Sequence, residues 1–405
     1  MLMGQVLQLP LRAAEVPGCQ GARGGGRGRA WSRERRRWWL LWASCPGVGW
    51  VRLRAIEATF GDLAEAWQAP LEAFALLPGI GGAWLQRLAG FRGHWGPDPF
   101  GGSAPPASLR RLLASERRVL LPGDPTYPAA MAALERPPLA LHWRGHGALW
   151  PLLARRQGVA IVGTRRPSRH GMAAAEALGA ALARAGWPVV SGLAEGIDAA
   201  AHRGCLEAGG VPVAVLGTPL ERVYPRHHGR LQREVAERGL LVSEQPAGAA
   251  VRPGHFAARN RLQVALAQAV VVVECPESSG ALHSARLAWD SLLPLWVVPA
   301  DAGRLSARGS NRLMTQGASA LLEADDLIQQ LGPGPHRRPP SAVRPGGRSS
   351  GSDAALLQVL EGGGACLEQL CRALDQPAPQ VAARLLTLEL AGLVQAEPGL
   401  RWRRI

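Results

Sequence analysis

Six short apolar runs constrain this chain more than any other feature. GVAIVG occupies 158–163, PVVSG 188–192, VPVAVLG 211–217, LLVSE 240–244, AVVVVEC 269–275 and PLWVVPA 294–300. None alternates apolar with polar residues, as a strand with one wet face would. Each is continuous, and helix-length stretches separate them. A strand apolar on both sides must be covered on both faces, which means a parallel sheet between two helical layers. The expected fold class is therefore α/β, a doubly wound Rossmann-like parallel sheet over 107–330. Such a sheet binds ligands beyond the carboxyl ends of its strands, so the turns after the runs are where chemistry is expected.

The remaining sequence is long enough for further domains, since 405 residues is two to three times the usual domain length. Residues 1–37 contain Gly24-Gly25-Gly26-Arg27-Gly28-Arg29 and no apolar period. They read as a disordered basic arm or as a start placed too far upstream. From 38 to 100 the pattern is helical and weakly repeated. Pro46-Gly47-Val48-Gly49 and, thirty-two positions later, Pro78-Gly79-Ile80-Gly81 each stand between helix-like stretches. This is the outline of a SAM-like or helix-hairpin-helix domain, whose turns can present backbone N–H groups to phosphate. With no basic residue inside either turn, a packing module is the reading the residues favour. A Gly/Pro/Ser linker starts at Gly101, and a Pro/Gly/Arg linker spans 331–352. Residues 353–405 read as three helices and a hairpin, a winged helix. Arg401, Arg403 and Arg404 on its last strand suit DNA. Its third helix carries only Arg384, which favours protein packing instead.

Charge narrows the partner. Lys and Arg total 46 against 31 acids, net +15, and every one of those cations is Arg. The excess is spread along the chain, which favours a polyanion without locating it. Six scattered cysteines with no C-x-x-C motif exclude a disulfide scaffold and a zinc ribbon, and imply a reducing compartment. Arg35-Arg36-Arg37 before Trp38–Cys45 imitates an export signal, but a helical pattern runs straight through it. The longest apolar stretch, Val264–Val273, is too short to span a membrane. A cytoplasmic protein with no membrane partner is expected.

The turns carry the candidate site. Gly163-Thr164-Arg165-Arg166-Pro167-Ser168-Arg169-His170-Gly171 matches neither G-x-G-x-x-G nor a P-loop, yet its groups suit an anion. Gly163 admits close backbone approach, the next helix brings its N-terminus, and Arg165 brings a guanidinium fork. Asp198 and His202 share one helix face after Ser191-Gly192. A metal or acid–base pair is conceivable, but with no third ligand a cap and its hydrogen-bond partner is the better reading. Phe256 with Arg259-Asn260-Arg261 combines a ring for a base with cations for phosphate. It is equally a helix start with a packed ring. A further Gly/Ser turn follows at Ser279-Gly280.

These residues, in this order, resemble the DNA-processing protein A family (DprA, also called Smf). The resemblance covers about 38–405. It rests on Tyr127-Pro128, Pro137-Pro138 and Gly145, on Ala160–Arg165 with Ser168 and Gly171, and on Ser191–Ala194 through Gly196-Ile197-Asp198 to Ala201-His202. Tyr224-Pro225, Ser243-Glu244, Phe256 with Arg259-Asn260-Arg261, Ser279-Gly280 with Ala285, Gly309, Asn311 and Gly317-Ala318 follow. Pro219, Glu221, His228, Ser284 and Ala300 depart from the pattern, and Arg252 stands in for a Lys expected near Phe256.

The resemblance implies a dimer that binds single-stranded DNA and loads the recombinase RecA onto it during natural transformation, with no catalytic residue, metal or cofactor. The contact set it implies is Gly163, Thr164, Arg165, Ser168, Ser191, Gly192, Arg252, Phe256, Arg259, Asn260, Arg261, Ser279 and Gly280. Two rivals compete. One is a Rossmann-like phosphoribohydrolase, which needs a Pro-Gly-Gly-x-Gly-Thr turn where Pro276-Glu277-Ser278-Ser279-Gly280 stands. The other is a nucleotide sensor with the winged helix as its output.

Overall fold

The computed structural model describes residues 31–101, 118–336, 351–397 and 399–405. The expected arm up to residue 30, the first linker beyond Gly101 and residues 337–350 of the second lie outside the described residues.

All six apolar runs form strands. These are β3 (Val159–Val162), β4 (Val189–Ser191), β5 (Pro212–Leu216), β6 (Leu240–Ser243), β7 (Ala269–Val272) and β8 (Leu295–Val297). Each pairs in parallel with its neighbours in that set. Every residue of β3, β5, β6 and β7 is buried, as a sheet covered on both faces requires. The sheet is wider than the runs predict. Its order is β1-β2-β6-β5-β4-β3-β7-β8-β9, with β1 (Val119–Leu120) and β2 (Leu141–Gly145) antiparallel at one edge and the two-residue β9 (Ser319–Ala320) at the other. β2 escapes a search for continuous apolar runs because Leu141 and Trp143 are buried while Arg144 is exposed. β3 is the pivot. β4, β5 and β6 extend to one side of it, β7 and β8 to the other, so the topological switch lies between β3 and β7.

The helical module comprises Arg33–Ala43, Trp50–Phe60, Leu63–Gln68, Leu71–Phe74 and Gly82–Trp95. Its first helix starts inside the segment read as a basic arm. Ser32 caps it, and Arg36 is buried, ion-paired to Asp124 and donating to the Val119 carbonyl at 3.1 Å. The imitation export segment is core, with Trp38, Trp39, Leu40, Leu41 and Trp42 all buried. The two Gly-rich turns lie side by side. Arg52 donates to the Gly47 carbonyl and, at 3.0 Å, to the Gly79 carbonyl, with its guanidinium over the Trp84 ring.

The C-terminal module has helices Gly351–Glu361, Leu367–Leu374 and Ala378–Leu390. A sheet of β10 (Ala365–Cys366), β12 (Arg401–Arg404) and β11 (Val394–Glu397) completes a winged helix; of these three strands, β10 is absent from the sequence expectation. Its third helix packs on the segment Gly147–Leu153 of the sheet domain. There Glu389 accepts from the Gly147 and Ala148 amides at 3.2 and 2.8 Å. Among the described residues, no helix is long and apolar enough to cross a membrane.

Candidate functional site

The turns after β3 and β7 diverge at the switch point and leave an open cleft of about 550 Å³. Gly163–Arg166 form one wall, and Pro276 with Ser278–Ala281 form the other. The helix Pro253–Ala265 closes it with Phe256, Asn260 and Gln263 on one face, at the i, i+4, i+7 spacing of a helix.

Glu274 organises the first wall, and the sequence expectation does not include it. It follows β7, is 2% exposed, and accepts from the Ser168 amide and, at 2.7 Å, from the Ser168 hydroxyl. Its own carbonyl accepts from the Thr164 amide at 2.7 Å. The N-terminus of Arg169–Arg184 is therefore occupied internally, since Ser168 caps it and a carboxylate of the protein itself sits against it. This corrects the expectation that this helix receives a ligand's anion. A buried acid directly after an apolar run is the signal that could have revealed it. The helix end that does face the cleft is that of Ala281–Asp290, whose N-cap residue Gly280 supplies no side-chain cap.

Gly163 lines the cleft but is required for another reason than ligand approach. A Cβ there would lie 2.5 Å from Ile197 Cγ1 and 2.9 Å from the Glu274 carbonyl, so the glycine lets two turns touch. Thr164 also lines the cleft, its amide committed to Glu274 and its hydroxyl accepting from the Arg166 amide at 3.2 Å. Arg165 and Arg166 are exposed and have no carboxylate partner among the described residues. The Arg165 guanidinium lies 5.6 Å from the Phe256 ring centroid, and Tyr224 packs on that ring at 4.8 Å. Phe256 is thus half-buried and carries a cation on its face, where the sequence alone leaves an exposed ring and a packed one level.

Arg259 forms the floor. It is buried, donates to the Val215 carbonyl and to Asn260 Oδ1, and faces Asp198 with Nη2 at 3.6 Å from Oδ2. Gly192 makes room for it, because a Cβ there would lie 1.8 Å from the guanidinium. Burial pushes the Asp198 carboxyl above its ordinary range, against the pull of Arg259 and of the Ala194 and Gly192 amides that it accepts from. Burial likewise pulls Arg259 down. Asp198 is a structural clasp, as expected, but His202 is not its partner. Both His202 ring nitrogens are buried without a hydrogen bond, and burial lowers its pKa to about 3. No group of His, Cys, Asp and Glu among the described residues could hold a metal ion.

Several expected contacts lie elsewhere. Ser168 and Gly192 have the structural roles given above, and Ser191 is buried with its hydroxyl on the Ile161 carbonyl. Arg252 is exposed at the N-cap of Pro253–Ala265, outside the cleft lining. Arg261 is the clearest correction. Two residues past Arg259 is about 200° around a helix, so Arg261 faces a different cleft, between the helical module and the sheet edge, and pairs with Glu244 at 2.6 Å. Ser279 and Gly280 do line the site; the Ser279 hydroxyl accepts from the Ala281 amide at 3.2 Å. Among the lining residues that the sequence expectation does not include as contacts are Gln263 and Ser284, both 1% exposed.

A cleft at the switch point of a doubly wound sheet, rimmed by two exposed guanidinium groups with no carboxylate partner among the described residues, defines a Rossmann-like protein. Comparison with known proteins makes this particular. The model of DNA recombination-mediator protein A matches residues 118–332, and that of the DprA winged helix domain matches 339–399. Protein Smf of Synechocystis sp. is 32% identical over 398 residues, which is 91% of this chain and 98% of the relative. The putative DNA processing protein DprA of Mycobacterium tuberculosis is 34% identical over 314 residues, 73% of this chain and 79% of its own. The X-ray structure of DprA from Streptococcus pneumoniae shares the fold, with a TM-score of 0.59 at 23% identity over 74% of this chain and 98% of that one. The chain belongs to the DNA-processing protein A (DprA/Smf) family.

Proposed function

We propose that the switch-point cleft grips single-stranded DNA and that the protein, as a cytoplasmic homodimer, loads RecA onto incoming DNA during transformation. One observation carries the cleft reading. Arg165 and Arg166 are exposed at the cleft, Arg165 over an aromatic ring, with no carboxylate to neutralise them among the described residues. Phosphates satisfy such groups, and a ring beside them suits a base of a flexible strand. The carboxylates around the cleft support binding without bond-breaking. Asp198 and Glu274 are buried in hydrogen bonds, and Glu277 pairs with Arg312 at 2.8 Å.

Anisotropy titrations with oligo-dT against salt test this reading. The logarithm of affinity should fall with log salt by ~0.7 for each phosphate neutralised. Arg165→Ala should weaken binding to every sequence by about tenfold at low salt and flatten that slope by about one phosphate. Unchanged titrations would remove Arg165 from the interface, and a protein indifferent to oligo-dT would remove the function. Adding RecA to the same complex, and measuring filament growth on coated strands, tests the loading role.

A further inference from the structure

A second cavity, of about 830 Å³, lies where the winged helix meets the sheet domain. Thr126, Pro151 and Arg155 belong to its wall on the sheet side, and the helix Leu367–Leu374 with Leu400 to the other. It shares no lining residue with the switch-point cleft. Its size is that of a small-molecule pocket, and domain boundaries are where such pockets gather. Thr126 is 7% exposed, and its hydroxyl has no hydrogen-bond partner. A buried hydroxyl left so forfeits the bonds it had with water, unless something entering the cavity supplies one. Four charged side chains also line the cavity, Arg155 and Arg372, Glu368 and Asp375. All four residues are exposed, and none has an ion-pair partner among the described residues.

We propose that this cavity binds a small phosphorylated ligand with hydroxyl groups and an apolar body, the chemistry of a ribonucleoside monophosphate. Charge separates such a ligand from a DNA strand. Arg155 and Arg372 reach the cavity from its two walls and suit a phosphate dianion. Glu368 and Asp375 stand among them, would repel a chain of phosphates, and can accept from the hydroxyls of a sugar. Pro151, Leu367 and Leu400 give a base apolar walls. Between these walls the Thr126 hydroxyl offers a donor and an acceptor to the edge of that base.

The test uses the full chain and calorimetric titration with AMP, GMP, CMP and UMP, then with inorganic phosphate. At least one nucleotide should bind, and more tightly than phosphate. A brief N-ethylmaleimide pulse, read by peptide mass mapping, locates it. Cys366 and Cys371 line the cavity and are half-buried, whereas Cys45, Cys205 and Cys275 are buried. Bound nucleotide should slow the labelling of Cys366 and Cys371 several-fold. Arg155→Met should raise the nucleotide Kd about tenfold and leave oligo-dT binding unchanged. Thr126→Val keeps the shape and should raise that Kd about fivefold without lowering the urea midpoint, since the free protein loses no hydrogen bond. The site is overturned if none of the four nucleotides binds at millimolar concentration, or if the bound one leaves both thiols unprotected. Nucleotide binding that falls with Arg165→Ala and not with Arg155→Met overturns it equally, by placing the ligand in the other cleft.

Discussion

Two arginine-bearing surfaces of this molecule look alike in sequence and differ in what their charges are doing. Arg401, Arg403 and Arg404 decorate the last strand of the winged helix and suit DNA, although the third helix of that module favours packing. In the structure Arg401 donates to the Gly364 carbonyl, Arg403 pairs with Glu397 at 2.9 Å, and Arg404 pairs with Glu361. The third helix of that module, the one that would enter a groove, is packed against the sheet domain through Glu389. Arg165 and Arg166 have no such partners among the described residues. Counting cations therefore does not locate a polyanion site in a chain with 46 of them and no Lys; which of them are paired, and which stand together at one cleft, has to be known as well.

The comparison is broken or sharpened most strongly at the cleft floor. Arg259→Ala strands the buried Asp198 carboxylate and should cost about 3–5 kcal/mol of stability; a urea midpoint near wild type would mean the pair is dispensable. The surface pairs of the winged helix give the opposite limit, since Arg403→Ala or Arg404→Ala should change stability by less than about 1 kcal/mol.

His202 beneath the same floor gives the next largest effect. Its pKa is lowered by burial, then by Arg259 and His228, from 6.5 to about 3. The unfolded chain takes up this proton below pH 6.5 and the folded one does not, so stability is lost as pH falls from 6.5 toward 3. Relative to His202→Leu, the wild type should lose about 2 kcal/mol between pH 6.5 and 5. Parallel urea curves at the two pH values would refute it.

DNA binding separates the surfaces directly. Arg165→Ala should cost about 1.4 kcal/mol of affinity, the tenfold change expected above, while replacing Arg403 and Arg404 together should cost less. A larger loss from the winged helix would reverse the assignment. The smallest effect is expected at the docking contact. Glu389→Gln removes the charge that accepts two amides and should weaken docking by about 1 kcal/mol. Faster hydrogen exchange at Gly147 and Ala148 would register it.

The parallel sheet was legible because strands buried on both faces leave short continuous apolar runs, here six of them separated by helix-length stretches. The winged helix and paired Gly turns were legible from helical period and turn residues. β2 was not, since one wet face broke its run, and β10 was too short to leave a pattern. Within the site, Gly163, Thr164, Arg165, Phe256, Asn260, Ser279 and Gly280 all reach the cleft. Arg261 could have been placed elsewhere from helical geometry alone, but Glu274, Gln263 and Ser284 could not have been placed at all. Their significance is burial, and burial depends on what another segment brings near.

What the amino-acid order determined by itself was local: which stretches are apolar on both sides, where helices begin, and where glycine and arginine gather. Tertiary structure decided which of those arginines are paired across the fold, because pairs such as Arg404–Glu361 and Arg36–Asp124 join residues far apart in the chain. It also decided that the helix end after β3 is filled by Glu274, while the one after β7 is met by its own turn, at Ser279 and Gly280. A carboxylate 106 positions away occupies one site and not the other, and only the folded chain sets that distance.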